Sequence, residues 1–89
     1  MSNILQLLGT EVACGDSSGS ASNFGGRSLV RLINTTTSDH LVTLEAAGGV
    51  DTGTLTLTAK GVVILKKLPT EKIFAANVGV KGVAIGYAN

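Results

Sequence analysis

Residues 54–58 read Thr-Leu-Thr-Leu-Thr. Strict alternation places both leucines on one side of an extended chain and the threonines on the other. That is the period of a β-strand with one face in a core and the other in water. The same preference runs through the whole sequence. Val, Ile and Thr together supply 24 of the 89 residues, and Gly supplies another 12. β-branched side chains favour the pleated sheet, while abundant glycine weakens helices and supplies turns.

From Leu29 onward, strand-like runs alternate with turn signals. Leu29-Val30-Arg31-Leu32-Ile33 and Leu41-Val42-Thr43-Leu44-Glu45 flank Asn34–Asp39, a stretch whose side chains readily hydrogen-bond their own backbone. The pair reads as a hairpin. Gly48-Gly49 and Lys60-Gly61 mark further turns. Val62-Val63-Ile64-Leu65 is apolar on both faces, as in an inner strand covered on both sides, and Lys66 and Lys67 return the chain to water. Pro69-Thr70-Glu71-Lys72 suits one turn of helix. Val78–Tyr87 reads as a last strand or a broken strand pair, with Val83, Ile85 and Tyr87 on one face and glycines that point to a bulge or close approach. Five to six short strands at this spacing define an all-β fold, a small antiparallel β-sandwich or barrel.

The N-terminal third is different. Residues 1–13 contain the apolar Ile4, Leu5, Leu7, Leu8 and Val12, in a run too short to separate strand from helical turn. Cys14–Ser28 holds four Gly and five Ser, the composition of a loop, with Phe24 as its one large apolar anchor. The expected organisation is therefore an irregular N-terminal arm and Gly/Ser-rich loop over residues 1–27, followed by a β domain over residues 28–89. A secretory signal is not expected, because all seven Lys and Arg lie from Arg27 onward and the apolar run is short. No window approaches a membrane span.

Charge and composition exclude several classes of function. A formal charge of +1 gives no strong pull toward nucleic acid or an anionic membrane. With two Phe, one Tyr and no Trp, the aromatic faces that read glycans, bases or peptides are scarce. Cys14 is the only cysteine and His40 the only histidine, so neither an internal disulfide nor a Cys/His metal cluster is expected. The lone cysteine fits synthesis in a reducing cytoplasm. A chain this small has a thin core, and association is the remaining way to reinforce it.

Individual motifs carry little chemistry. Gly15-Asp16-Ser17-Ser18-Gly19 looks like a serine-protease nucleophile segment, but that chemistry needs a His base backed by a carboxylate, and only His40 is present. Cys14 lies between Glu11 and Asp16, which disfavour a thiolate. Asn34-Thr35-Thr36 matches a glycosylation acceptor by composition alone. The six carboxylates are scattered without the spacing of a calcium loop or an acid/base couple. Lys60, Lys66, Lys67 and Lys72 form a modest basic area suited to strand ends and sheet edges. No enzymatic activity, cofactor, metal or small-molecule substrate is expected.

The C-terminal wording is distinctive. It runs Gly61-Val62-Val63-Ile64-Leu65-Lys66-Lys67-Leu68-Pro69-Thr70-Glu71-Lys72-Ile73-Phe74-Ala75-Ala76-Asn77, then a Val/Gly strand ending Ala84-Ile85-Gly86-Tyr87. This resembles small virion structural proteins of tailed phages of marine bacteria, cyanophages especially. The resemblance covers about residues 28–89 and carries no catalytic residues with it. It implies a capsid decoration, or cement, protein that binds the outside of a phage head and is made in the host bacterial cytoplasm. A tail, neck or baseplate component is the alternative, and a host-surface binding module a further one. The implied partners are the major capsid protein or other virion subunits and further copies of the chain, a trimer being one form of homo-oligomer. The apolar arm then offers an interface through Ile4, Leu5, Leu7, Leu8 and Val12, with Phe24 beside them.

Overall fold

The alternating segments form eight strands in the computed structural model, which describes residues 4–88. They are β1 (Ile4–Leu7), β2 (Val12–Ala13), β3 (Leu29–Asn34), β4 (His40–Glu45), β5 (Asp51–Leu57), β6 (Val62–Lys66), β7 (Lys72–Ala75) and β8 (Val80–Ala88). Two short 3-10 turns, Ser18–Ser20 and Phe24–Gly26, interrupt the N-terminal stretch. One antiparallel sheet has the order β1-β8-β3-β6, with β2 also on β8, and the other has the order β5-β4-β7. The fold is an all-β sandwich, as the strand periodicity implies.

The core lies between the sheets. β3 alternates strictly, with Val30, Leu32 and Asn34 buried and Leu29, Arg31 and Ile33 facing the other way. Val30 and Leu32 meet Val42, Leu57, Ile73 and Ala75 from the second sheet, with Val80 and Ala84 of β8 beside them. Phe24 belongs to this core and anchors its loop, as expected. Gly82 makes room for it: a Cβ there would stand 2.8 Å from both Leu32 Cδ2 and Phe24 Cζ.

Several local expectations are corrected. β3 and β4 do not pair as a hairpin. β3 pairs with β6 and β8, while β4 pairs with β5 and β7. The turn between them carries the chain from one sheet to the other, because each strand is an interior strand of its own sheet and pairs on both sides with strands farther along the sequence. β6 is not an inner strand. It is the last strand of its sheet, with Val62, Ile64 and Lys66 exposed and Val63 and Leu65 half-buried. The expected helical turn at Pro69 is a tight turn closed by Glu71 N–H on Leu68 O (3.0 Å), and β7 begins at once after it. Lys67 does not return to water. It is buried, and its Nζ donates to the carbonyls of Leu68 (3.2 Å) and Pro69 (3.4 Å). Burial lowers its pKa, with the Glu71 charge opposing the shift.

The N-terminal third is attached along the sandwich. Ile4–Leu7 pairs with Leu7 opposite Ile85 and Leu5 opposite Tyr87, and Val12 lies opposite Gly82. The chain then crosses between the sheets. Cys14 N–H donates to Val80 O (2.9 Å) in the first sheet, and Gly15 O accepts from Ala75 N–H (2.9 Å) in the second. Ser22 and Ile73 exchange both backbone hydrogen bonds, at 3.0 and 2.8 Å, so residues 14–22 cover the outer edge of β7. These strands were not legible as such because their side chains alternate too briefly to show a period.

Candidate interaction surface

Residues paired across an antiparallel ladder share a face. The registers therefore give the composition of each outer surface. On the five-stranded sheet, Leu5 and Tyr87 form one row. Leu7, Ile85, Leu29 and Lys66 form the next, followed by Val83, Arg31 and Ile64, and then Lys81, Ile33 and Val62. Val83 and Ile85 are only 4% and 2% exposed, yet neither belongs to the core between the sheets. They are covered by their neighbours on this outer face. Around them Leu5, Leu7, Val62, Ile64 and Tyr87 are exposed.

The outer face of the second sheet is built differently. There Leu41 lies opposite Thr56, and Thr43 lies between Thr54 and Phe74. Thr54 and Thr56 are exposed, as the Leu/Thr alternation predicts. One side of the sandwich thus presents mainly threonine to solvent, with Leu41 as its exposed large aliphatic group, and the other presents a run of leucine, isoleucine, valine and tyrosine. Scattered apolar residues are ordinary on a protein surface, whereas a contiguous apolar patch marks an interaction site.

Charge on the apolar face is mostly basic. Lys66 and Lys81 lie at its margins, and Arg31 Nη1 lies 3.8 Å from Glu11 Oε2, both half in water. An exposed pair of this kind contributes little to stability.

Of the arm residues expected to form an interface, Ile4, Leu5, Leu7 and Val12 are exposed on the β1/β2 edge. Leu8 is half-buried and packs against the core, and Phe24 is buried within it. Leu5 and Leu7 share the apolar face with residues that were not expected at the interface: Leu29, Ile33, Val62, Ile64 and Val83. The available signal was the two-faced apolar run Val62–Leu65, which needs a second covering layer.

Two hollows open on the surface. One, of about 150 Å³, lies on the open side of the sandwich and is lined by Val42, Leu44, Gly53, Thr54, Leu55 and Leu65. The other, of about 280 Å³, lies beside Phe24 and includes Thr10 and Ser22 among its lining residues. Neither lining contains a titratable side chain. The Gly15–Gly19 segment is structural in its contacts. Ser18 Oγ donates to both carboxylate oxygens of the buried Glu45, at 3.2 and 2.9 Å, and Ser17 bonds to Ser20. Burial pushes the Cys14 thiol up to about 12, so desolvation, rather than the charges of Glu11 and Asp16, suppresses its thiolate. No group of His, Cys, Asp and Glu that could hold a metal occurs among the described residues. No helix among them is long and apolar enough to cross a membrane.

Comparisons with protein-family models, with curated proteins and with solved structures give no match for this chain.

Proposed function

We propose that the chain is a structural subunit of a phage particle, a decoration protein that binds the outside of the head and stabilises it through subunit contacts. The observation that carries this reading is the contrast between the two outer faces of the sandwich. The threonine face suits solvent. The face holding Leu5, Leu7, Ile64 and Tyr87 leaves large apolar groups exposed beside a buried Val83 and Ile85. These groups are already about half covered, so covering the rest of each contributes roughly 1 kcal/mol. A partner that covers several of them is therefore bound firmly, and repeated copies on one shell add avidity. The C-terminal resemblance to virion structural proteins supplies the kind of partner: the major capsid protein or another virion subunit.

The test is the position and copy number of the chain in purified particles, by electron cryomicroscopy and quantitative mass spectrometry. The expected result is many copies over the outer shell, with the Leu5–Leu7 face toward the shell and decoration abolished by Leu7→Glu. Absence from purified particles overturns the virion reading. A few copies at one vertex instead assign the chain to the neck, tail or baseplate.

A further inference from the structure

β6 ends its sheet, and its backbone groups divide by parity. Asn34 N–H donates to Gly61 O (2.9 Å), and Lys67 N–H donates to Ser28 O (2.8 Å). With the register Leu32↔Val63 and Val30↔Leu65 between these bonds, residues 61, 63, 65 and 67 turn their N–H and C=O toward β3. Val62, Ile64 and Lys66 therefore turn theirs outward, where the sheet has no further strand among the described residues.

An open edge of this kind is a template for another strand, and proteins normally protect it with proline, a bulge or an inward charge. The other edges have such cover over part or all of their length. Residues 14–22 lie along β7, a register shift at Leu44/Glu45 breaks the β4–β5 ladder at the Asp51 end of β5, and residues 8–11 interrupt the β1/β2 edge. Along Val62–Leu65 β6 has none of these, and Lys66 with the buried Lys67 guards only its C-terminal end. It is Val-Val-Ile-Leu-Lys in unbroken register with β3, and its only charge is at one end.

We propose that β6 pairs antiparallel with β6 of a second copy, about a twofold axis through Ile64. In that register Ile64 lies opposite Ile64 of the other copy, and Val62 lies opposite Lys66. These are the residues with outward backbone groups, so each pair exchanges both of its hydrogen bonds. Lys66 faces a valine, and the two Lys66 ammonium groups stay apart. Centring the axis on Lys66 would set like charges face to face, and centring it on Val62 would drive Ile64 against the Lys60 turn, where φ is 60°. Pro69 limits the pairing at the other end. The apolar face continues across the axis through both Ile64 side chains. Val63 and Leu65 of the second copy extend over the open side of the core, where Leu65 already borders a hollow with Leu44 and Leu55. The area is small against the roughly 1,200–2,000 Å² of a stable interface, so the dimer forms with concentration and is reinforced on a crowded surface.

This inference rests on the reading of the chain as an assembling subunit, and its test uses the protein alone in solution. It can therefore fail while particle binding stands. Ile64→Cys and Val62→Cys variants are oxidised with diamide at high protein concentration, with the buried Cys14 left in place. Across the axis, position 64 meets itself at about 5.5 Å between Cα atoms, within disulfide reach. Position 62 lies about 14–15 Å from its own copy. The expected result is a covalent dimer from Ile64→Cys and almost none from Val62→Cys. In the unmodified protein the Ile64 amide should exchange with solvent at least tenfold more slowly at millimolar than at micromolar concentration. Ile64→Lys, at an exposed position, should remain folded and monomeric by sedimentation. Equal cross-linking at both positions, an Ile64 amide indifferent to concentration, or persistent dimers of Ile64→Lys would overturn the proposal.

Discussion

Asn34 Nδ2 donates to the Leu57 carbonyl oxygen at 3.0 Å, and this bond holds the end of β3 in one sheet to the end of β5 in the other. The same amide donates to Ser38 O (2.7 Å), and its Oδ1 accepts from Thr36 N–H (2.9 Å) and Thr36 Oγ (2.7 Å). The side chain is fully buried, and every one of these groups is matched. It therefore shapes the turn that carries the chain between the sheets.

Replacing this amide separates its donor role from its acceptor role. Asn34→Ala should lower stability by about 2–3 kcal/mol, because it leaves buried backbone groups without partners. Asn34→Asp keeps the acceptors but sets a carboxylate against two carbonyl oxygens. Burial raises the pKa of such a group in the folded state. Stability is then retained where the carboxyl is protonated and is lost as pH rises through its folded pKa. Urea unfolding should show Asn34→Asp recovering part of its deficit between pH 7 and pH 4.5, with the Asn34→Ala deficit unchanged.

The contact between Gly82 and Phe24 gives a second expectation. A methyl at position 82 would strike Leu32 Cδ2 and Phe24 Cζ at 2.8 Å. Gly82→Ala should cost about 1–3 kcal/mol by overpacking. In a Phe24→Leu background the clash is reduced, so the added cost of Gly82→Ala should fall. A double-mutant cycle from thermal melts measures this coupling, and additive losses would place the strain elsewhere.

The strand content was legible because Leu55 and Leu57 alternate with threonine and because β3 and β8 are rich in β-branched residues. Pairing was harder to read. Leu29–Ile33 and Leu41–Glu45 sit on either side of a turn, and adjacency favoured a hairpin. What decides their sheets is long-range: β3 is flanked by β6 and β8, and a single buried amide turns the chain over. The apolar outer face was half-visible. Leu5 and Leu7 stood out by composition, but Ile64 and Val83 join them only through registers with β3 and β8, which no local pattern encodes. The Lys66-Lys67 pair at a strand end implies two solvated side chains, but the turn at Pro69 supplies carbonyls that receive the Lys67 ammonium.

The buried thiol has a pH signature. Cys14 has a folded pKa of about 12 against an ordinary value of 9.0. Between those values the unfolded chain loses the thiol proton and the folded chain keeps it, so stability falls as pH rises above about 9. Denaturation curves from pH 8 to 11 should show this alkaline loss in the native sequence and a shallower one in Cys14→Ala. At pH 8 a thiol reagent should label Cys14 only at the rate of unfolding, because the side chain is fully buried.

The crossing at Cys14 also predicts how far the N-terminus can be shortened. β1 contributes backbone pairing to the Ile85–Ala88 half of β8, but its own side chains are exposed. Removing residues 1–7 should leave a cooperatively folding protein, weaker by about 1–3 kcal/mol. Residues 14–22 do more: they place Cys14 in the core, bond to Val80 and Ala75 in different sheets, and cover the edge of β7 through Ser22 and Ile73. Removing residues 1–22 uncovers that edge and opens one side of the sandwich. The longer deletion should lose its cooperative melt and bind a hydrophobic dye, while the shorter one retains both native behaviours. A cooperative melt from the longer deletion would show that β3 to β8 stand alone, and that the crossing segment is an attachment rather than a wall of the core.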